Sequence, residues 1–202
     1  MRSPYNYLIK PEEGRTTSVK KVGDQELILN TELQNHQYVS RRGIILERPI
    51  VDEGILKEGD SIIVHHNVFR RFYDMKGNEK NSASYYKEGM YFCYNDQVFL
   101  YKRTGMDWKA LEGYCFVKPL ESTDEFSSDK EQPNVGVIRY LDNGLEAAGV
   151  SAGDVVGFTP GSEYEFIIDD ERLYRVHAGS ITIKYEREGS EKEYAPSWSE
   201  IS

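Results

Sequence analysis

Three groups of residues in this chain are of types that do chemistry. His65-His66 offers two imidazoles, Asp169-Asp170-Glu171 three carboxylates, and Cys93 and Cys115 two thiols. A metal site needs ligands converging from several positions, but neighbouring residues on a strand point to opposite faces, and no Cys or His lies at ligand spacing from the pair. The acidic triplet sits in a turn-like stretch, where aspartates bend the backbone and are solvated, rather than forming an acid/base pair. Each cysteine lies in a strand-like aromatic run, YFCY or GYCFV, the pattern of a buried free thiol. The sequence holds no G-x-G-x-x-G, P-loop, nucleophile elbow or Cys-x-x-Cys. The expectation is a protein that is not an enzyme, with no metal and no cofactor.

The 202 residues carry a net charge of -9 and a pI near 5.1. Such a surface repels phosphate-rich partners, and Arg70-Arg71 is too short to make a basic patch, so neither nucleic acid nor an anionic membrane is expected to bind. No apolar run approaches the roughly 18 residues of a membrane span, and the first residues, MRSPYNYLIKP, lack a signal-peptide core. The cytoplasm is the expected compartment.

Apolar residues in polar settings are the more informative signal. Leu27-Ile28-Leu29 stands inside KKVGDQELILNTEL, a charged stretch with no other apolar run. The triplet is either a strand of the protein's own core or a docking element for a partner. A second such region, NVFRRFYDMKGNEKNSASYYKEG, reads as a long hairpin turning at Lys76-Gly77-Asn78, with Phe69, Phe72, Tyr73, Tyr85 and Tyr86 as cross-strand aromatics. Contact with a neighbouring subunit is the leading role for these five, with lining a dome, binding another molecule and structural filler as the alternatives.

Behind these residues is an internal repeat. YNYLIKP, ending at Pro11, returns as GYCFVKP, ending at Pro119. The Gly-Ile of GIIL at Gly43 is answered by GVIR at Gly136, and Gly59-Asp60 by Gly153-Asp154. Last, YNDQVFLYKR is matched to IDDERLYRV, aligning Tyr101 with Tyr174. The order is the same in both halves. The first is longer after the Lys-Pro and again after the Gly-Asp, by roughly 15 to 20 residues each time.

Both halves read as all-β. Short runs of Val, Ile, Tyr and Phe alternate with turn signals at Gly77-Asn78, Asn95-Asp96, Asp142-Asn143-Gly144, Pro160-Gly161 and Asp169-Asp170. EYEFII and LYRV, joined by DDER, form a predicted hairpin, and GLEAAGV supports no more than a single helical turn. Two tandem small β-barrels fit the pattern.

The second half, GDVVGFTPGSEYEFIIDDERLYRVHAGSITIKYE, resembles the C-terminal half of the chaperonin-10 (GroES-like) co-chaperonin family: a Gly-Asp step, an apolar strand ending in Phe, an acidic turn, a Tyr-containing strand and a final Ile strand. SPYNYLIKP, SRRGIILERP and GILKEGDSIIV resemble the front of the same family. The resemblance implies two GroES-like barrels, residues 1–112 and 113–186, followed by a polar acidic tail, 187–202. The first would carry a mobile loop over 12–40 and an inserted hairpin over 68–89. It also implies that Leu27, Ile28 and Leu29 are the aliphatic tripeptide that docks onto a GroEL-like large chaperonin, which binds the nucleotide and encloses an unfolded client.

A homo-oligomer follows, a heptamer if the partner has sevenfold symmetry, with one docking loop per chain. The corresponding loop of the second half, LESTDEFSSDKEQPN, is acidic, and Phe126 is its only large apolar residue after Leu120. LERPIVDE and YLDNGLEA are too short for the family's roof hairpin, so any dome would be open, as in some viral co-chaperonins. In the tail, Tyr194 and Trp198 are candidates to anchor on a neighbouring subunit. The alternative reading is a viral virion or assembly protein that uses the same fold for subunit contacts.

Overall fold

The computed structural model describes residues 2–12, 19–22, 25–28, 40–51, 54–122, 130–186 and 192–194, with backbone alone for 19–22 and 25–28. The fold is all-β and antiparallel, as expected. The chain divides into two compact units, Met1–Trp108 and Lys109–Ser202.

The first unit contains β1 (Tyr7–Pro11), β2 (Val19–Val22), β3 (Gln25–Ile28), β4 (Arg42–Glu47), β5 (Ser61–Val64), β6 (Arg71–Tyr73), β7 (Glu79–Asn81), β8 (Tyr85–Lys87), β9 (Met90–Cys93) and β10 (Val98–Lys102). Its main sheet runs β8-β9-β1-β4-β5-β10, while β2-β3 and β6-β7 are separate two-stranded ribbons. The second unit contains β11 (Lys109–Ala110), β12 (Tyr114–Glu121), β13 (Glu131–Leu141), α1 (Asn143–Ala147), β14 (Val155–Phe158), β15 (Tyr164–Ile168), β16 (Glu171–His177) and β17 (Ile181–Lys184). Its sheet runs β15-β16-β12-β13-β14-β17, the same path through the equivalent strands.

The equivalence holds residue by residue. Ile9, Lys10 and Pro11 face Ile45, Ile44 and Gly43; Val117, Lys118 and Pro119 face Ile138, Val137 and Gly136. Both pairings slip just before this point, at Leu8/Ile9 and at Phe116/Val117, so even the irregularity is duplicated. An extra residue at such a slip bends the strand and increases its twist. The Gly-Asp step is repeated as well. Gly59 and Gly153 have φ of 86° and 90°, and their N–H groups donate to Ile45 and Ile138 carbonyls at 2.8 Å in both units. The carboxylates of Asp60 and Asp154 accept from the N–H groups of Lys57 and Ser151 at 2.8 and 2.7 Å, closing the turn that delivers the chain to β5 or β14.

The last landmark of the repeat is corrected. Tyr101 does not correspond to Tyr174. Ile9 pairs with Tyr91, and its counterpart Val117 pairs with Tyr174, which makes β9 the equivalent of β16. β10 answers β17 instead: each follows a 3-10 turn, Asn95–Gln97 or Ala178–Ser180, whose last carbonyl accepts from His65 or Thr159 at 2.9 Å. The two Leu-Tyr-Lys/Arg strings look alike but lie on different strands. The acidic turn that marks one hairpin, Asp169-Asp170, is replaced in the other by Glu88-Gly89.

The strands form where the sequence alternates or runs apolar. β5 (SIIV) buries its last three residues and β14 (VVGF) all four, which is why their runs are continuous rather than alternating. In the second unit Cys115, Val117, Ile138, Val156, Phe158 and Val176 form one core cluster, joined by Leu145 of α1. Asp142 caps α1, accepting from the Leu145 N–H at 2.8 Å and from the Gly113 N–H at 2.7 Å, and is itself buried. The hairpin predicted at DDER is present. Ile168 pairs with Glu171 across Asp169 and Asp170, both at positive φ (51° and 62°), the geometry of a type I′ turn. No helix among the described residues is long and apolar enough to cross a membrane.

The landmark glycines have a steric reason. A Cβ on Gly136 would lie 2.7 Å from the Lys118 carbonyl oxygen, and one on Gly43 would lie 3.1 Å from the Lys10 carbonyl oxygen and 3.1 Å from the Phe69 ring. Backbone cannot yield as a side-chain tip does. Gly136→Ala is expected to destabilise the protein by about 1–3 kcal/mol, and Gly43→Ala by less. Urea unfolding midpoints test the ranking; a Gly136→Ala variant as stable as the parent would remove the steric explanation.

Candidate functional site

The candidate docking element is a β-hairpin. β2 and β3 pair in the register Val19 with Ile28, Lys20 with Leu27, Lys21 with Glu26 and Val22 with Gln25, leaving Gly23-Asp24 as a two-residue connection. Gly-Asp between two such runs is among the dipeptides that read as a two-residue hairpin connection. Leu27 and Ile28 therefore lie on β3, and Leu29 lies outside the described residues. Within the mobile loop expected over 12–40, the backbone at these positions is strand-paired, in a ribbon distinct from the main sheet. In the second unit the corresponding connection continues the β12-β13 ladder, with Glu121 opposite Glu131 and the Ser122 N–H donating to the Lys130 carbonyl at 2.9 Å. Phe126 lies outside the described residues.

The predicted aromatic hairpin is only partly as expected. Its turn is where the sequence put it. The Asp74 carboxylate accepts from the N–H groups of Lys76 and Asn78, both at 2.9 Å, and Gly77 takes a φ of 78°. These bonds, the Asn78 N–H first, hold the Asp74 carboxyl below its ordinary range. The ribbon is short, however, and its register sets Phe72 against Lys80 and Tyr73 against Glu79, so no aromatic pair forms across it; Tyr85 has its cross-strand aromatic partner, Tyr91, on β9 instead.

The five aromatics serve different ends. Phe69 is 1% exposed and packs edge-on against Tyr91 at 5.0 Å, which makes it core and unavailable for a subunit contact. Tyr85 and Tyr86 belong to β8, the partner of β9, and meet Tyr91 and Phe92 at 5.6 and 5.1 Å. Phe72, Tyr73 and Tyr86 remain substantially exposed, as does Met75 at the turn. Sequence reading missed another exposed group. Ile50 and Val51, 62% and 67% exposed, sit where the Ile50 and Val51 N–H groups bond to the Ser3 and Pro4 carbonyls, next to Tyr5 at 73%. Its signal was the apolar pair in ERPIVDEGIL, which was read only for its length.

The residues singled out for chemistry are occupied structurally. His65 and His66 stack at 4.3 Å instead of diverging, because β5 ends at Val64 and the chain turns there. The Asn67 N–H donates to His65 Nδ1. Among the described residues no group of three or more His, Cys, Asp or Glu side chains is placed to hold a metal. Asp169 and Asp170 make the turn, while Glu171 receives Lys118 at 2.8 Å and Arg139 at 3.0 Å.

A cleft of about 330 Å³ beside Glu131, Phe158, Glu163 and Tyr174 is lined by groups that bond to one another. The Tyr174 hydroxyl donates to Glu131 at 2.8 Å and accepts from Arg172 at 2.7 Å, and Arg172 also pairs with Glu131 and Glu165. Burial, then the bond to Glu131, pushes the Tyr174 hydroxyl well above its ordinary pKa. A tyrosine so held is no base at neutral pH.

Cys93 and Cys115 are free and buried, as the aromatic runs predicted. Burial raises both thiols, Cys115 to about 12 and Cys93 further. Neither is therefore expected to react with a disulfide reagent in the native protein, and both should react once it is unfolded. Rapid labelling of either thiol under native conditions would contradict the burial seen here.

Neither a scan against models of known protein families nor a search of curated proteins finds a match to this chain.

Proposed function

We propose that the chain is a tandem GroES-like co-chaperonin acting in the cytoplasm, which docks on a GroEL-like chaperonin through the hairpin bearing Leu27-Ile28-Leu29. In this reading each unit is a GroES-like barrel. The observation that carries it is an asymmetry. Two units of one design differ in that, among the described residues, only the first has a separate ribbon between the strand carrying the Lys-Pro and the strand carrying the Gly-Ile landmark. That ribbon holds an aliphatic run in an otherwise charged segment. Burying three such side chains in a partner's groove yields about 1.5–3 kcal/mol each before ordering costs are deducted. One loop binds weakly, and a ring of loops binds by avidity. The ring is a heptamer if its partner is sevenfold, the partner hydrolyses ATP, and the client is an unfolded protein. Buried free thiols suit a reducing compartment.

The exposed Phe72, Tyr73 and Met75 on the β6-β7 ribbon favour a second reading, a structural protein of a virion or its assembly that uses this ribbon for subunit contacts.

One experiment separates the two. Binding to a GroEL-like chaperonin is measured with and without nucleotide, for the parent and for Ile28→Ser. The co-chaperonin reading expects nucleotide-dependent binding that falls at least about tenfold in the variant. A folded parent that does not bind an active chaperonin, or a native mass of three or four chains, would turn the reading to the structural protein.

A further inference from the structure

In the second unit β13 runs along one edge of β12, but β16 runs along the other only from Tyr114 to Val117. Beyond that point β16 continues beside β15, and the vacated edge of β12 is filled by Lys192–Tyr194 of the same chain. The Tyr194 N–H donates to the Pro119 carbonyl at 2.9 Å, the Glu121 N–H donates to the Lys192 carbonyl at 2.8 Å, and Leu120 faces Glu193 in an antiparallel bridge. Tyr194, read from the sequence as part of a disordered end or, alternatively, as an anchor on a neighbouring subunit, thus lies on its own chain; Trp198 is outside the described residues. Two side chains add to the backbone bonds. Lys118 Nζ lies 2.9 Å from the Glu193 carboxylate, and the Arg172 guanidinium lies 6.0 Å from the centre of the Tyr194 ring. The edge reads an extended segment by its backbone and a carboxylate by its lysine, which is strand addition with one charge-assisted contact.

The first unit carries the same edge. Lys10, Pro11 and Glu12 correspond to Lys118, Pro119 and Leu120 through the shared register. β9 pairs with Tyr7, Leu8 and Ile9 and ends at Met90, so its pairing stops one residue before Lys10. The Glu12 N–H donates to the Arg42 carbonyl at 3.1 Å, on the β4 side. By strand alternation the Pro11 carbonyl faces the opposite side, as the Pro119 carbonyl does towards Tyr194. Among the described residues no strand pairs with that side of Lys10–Glu12, and Lys10 is exposed.

We propose that the edge of β1 at Lys10–Glu12 is a strand-docking site for an extended acidic segment of a partner protein. The segment adds its backbone to the Pro11 carbonyl and sets a carboxylate on Lys10, as Glu193 is set on Lys118. The occupant is a partner segment because the chain's own Lys192–Tyr194 is already seated on β12, and because a free lysine at the edge selects for a carboxylate. The inference does not depend on the co-chaperonin reading.

The test uses the full chain and a fluorescent peptide of residues 190–196, SEKEYAP, followed by anisotropy. The peptide is expected to bind, Lys10→Glu to weaken it at least about tenfold, and a peptide carrying Glu193→Lys to recover binding to that variant. Lys118→Glu should leave binding at Lys10 unchanged, since the second edge it alters then lacks the lysine that receives the carboxylate. The proposal is overturned if no peptide binds, if Lys10→Glu has no effect, or if Lys118→Glu abolishes binding, which would mean the peptide only exchanges with the resident tail. Self-association of the full chain lost both in Lys10→Glu and on removal of residues 188–202 would overturn the partner assignment in favour of a second copy's tail.

Discussion

Everything in either unit depends on how closely two strands approach at a single crossing. Opposite Pro11 and Pro119 stand Gly43 and Gly136, whose backbones lie so near the preceding lysine's carbonyl that a methyl group would not fit comfortably at the first and would collide at the second. The approach coincides with a register slip on the same strand pair, and bulged strands bend and twist. A bend at this place carries β4 and β13 across towards the Gly-Asp turns. There the glycine N–H groups and aspartate carboxylates lock the chain into β5 and β14. The landmarks shared by the two halves are therefore the residues that set this crossing, and the side chains between them are free to vary.

That explains what could be read from the sequence and what could not. Gly-Ile and Gly-Asp were legible because close approach at Gly43 and Gly136 and positive φ at Gly59 and Gly153 restrict these positions to glycine. The hairpin at Asp169-Asp170 was legible for the same reason, since consecutive left-handed residues favour Asp, Asn and Gly. The pairing of Tyr101 with Tyr174 failed because β10 and β16 are both apolar-aromatic strands followed by a basic residue, and nothing steric distinguishes the strings. Phe69 was misread for a different reason. It was grouped with the aromatics of one long hairpin, whereas the ribbon begins only at Arg71, and Phe69 fills the space that Gly43 leaves open. His65 and His66 were placed on opposite faces by assuming that the strand continued past Val64.

Divergence between the units lies in the connections. In the second unit the segment between β13 and β14 folds inward: Asp142 caps α1, and Leu145 and Val150 are 9% and 7% exposed. In the first, the segment between β4 and β5 buries Leu56 but leaves Ile50, Val51 and Ile55 outside. Two arginines bind its carbonyls, Arg48 that of Gly54 and Arg103 that of Ile55. A buried carboxylate collects amide N–H groups and draws a helix start inward, whereas arginines collect carbonyls at the surface and leave apolar side chains exposed. Asp60 shows how the same arginine also serves the turn: it is 2% exposed and meets Arg103 through both oxygens at 2.9 Å, while Asp154 meets Lys184.

Duplication also gives a reason for the extra two-stranded ribbons to lie in the first unit. Once two copies of a sheet exist, one can keep its short connections and maintain stability while the other gains ribbons at β2-β3 and β6-β7. The second unit seals itself further, because its final described residues lie along β12 and pair Glu193 with Lys118, which Glu171 also holds. That lysine is nearly surrounded by carboxylates and protein, with 15% of its side chain exposed. Its counterpart Lys10 is at the surface. A shared Lys-Pro step thus stands in two settings: in one copy the chain's own tail lies along its edge, and in the other no strand among the described residues covers the same backbone and charge.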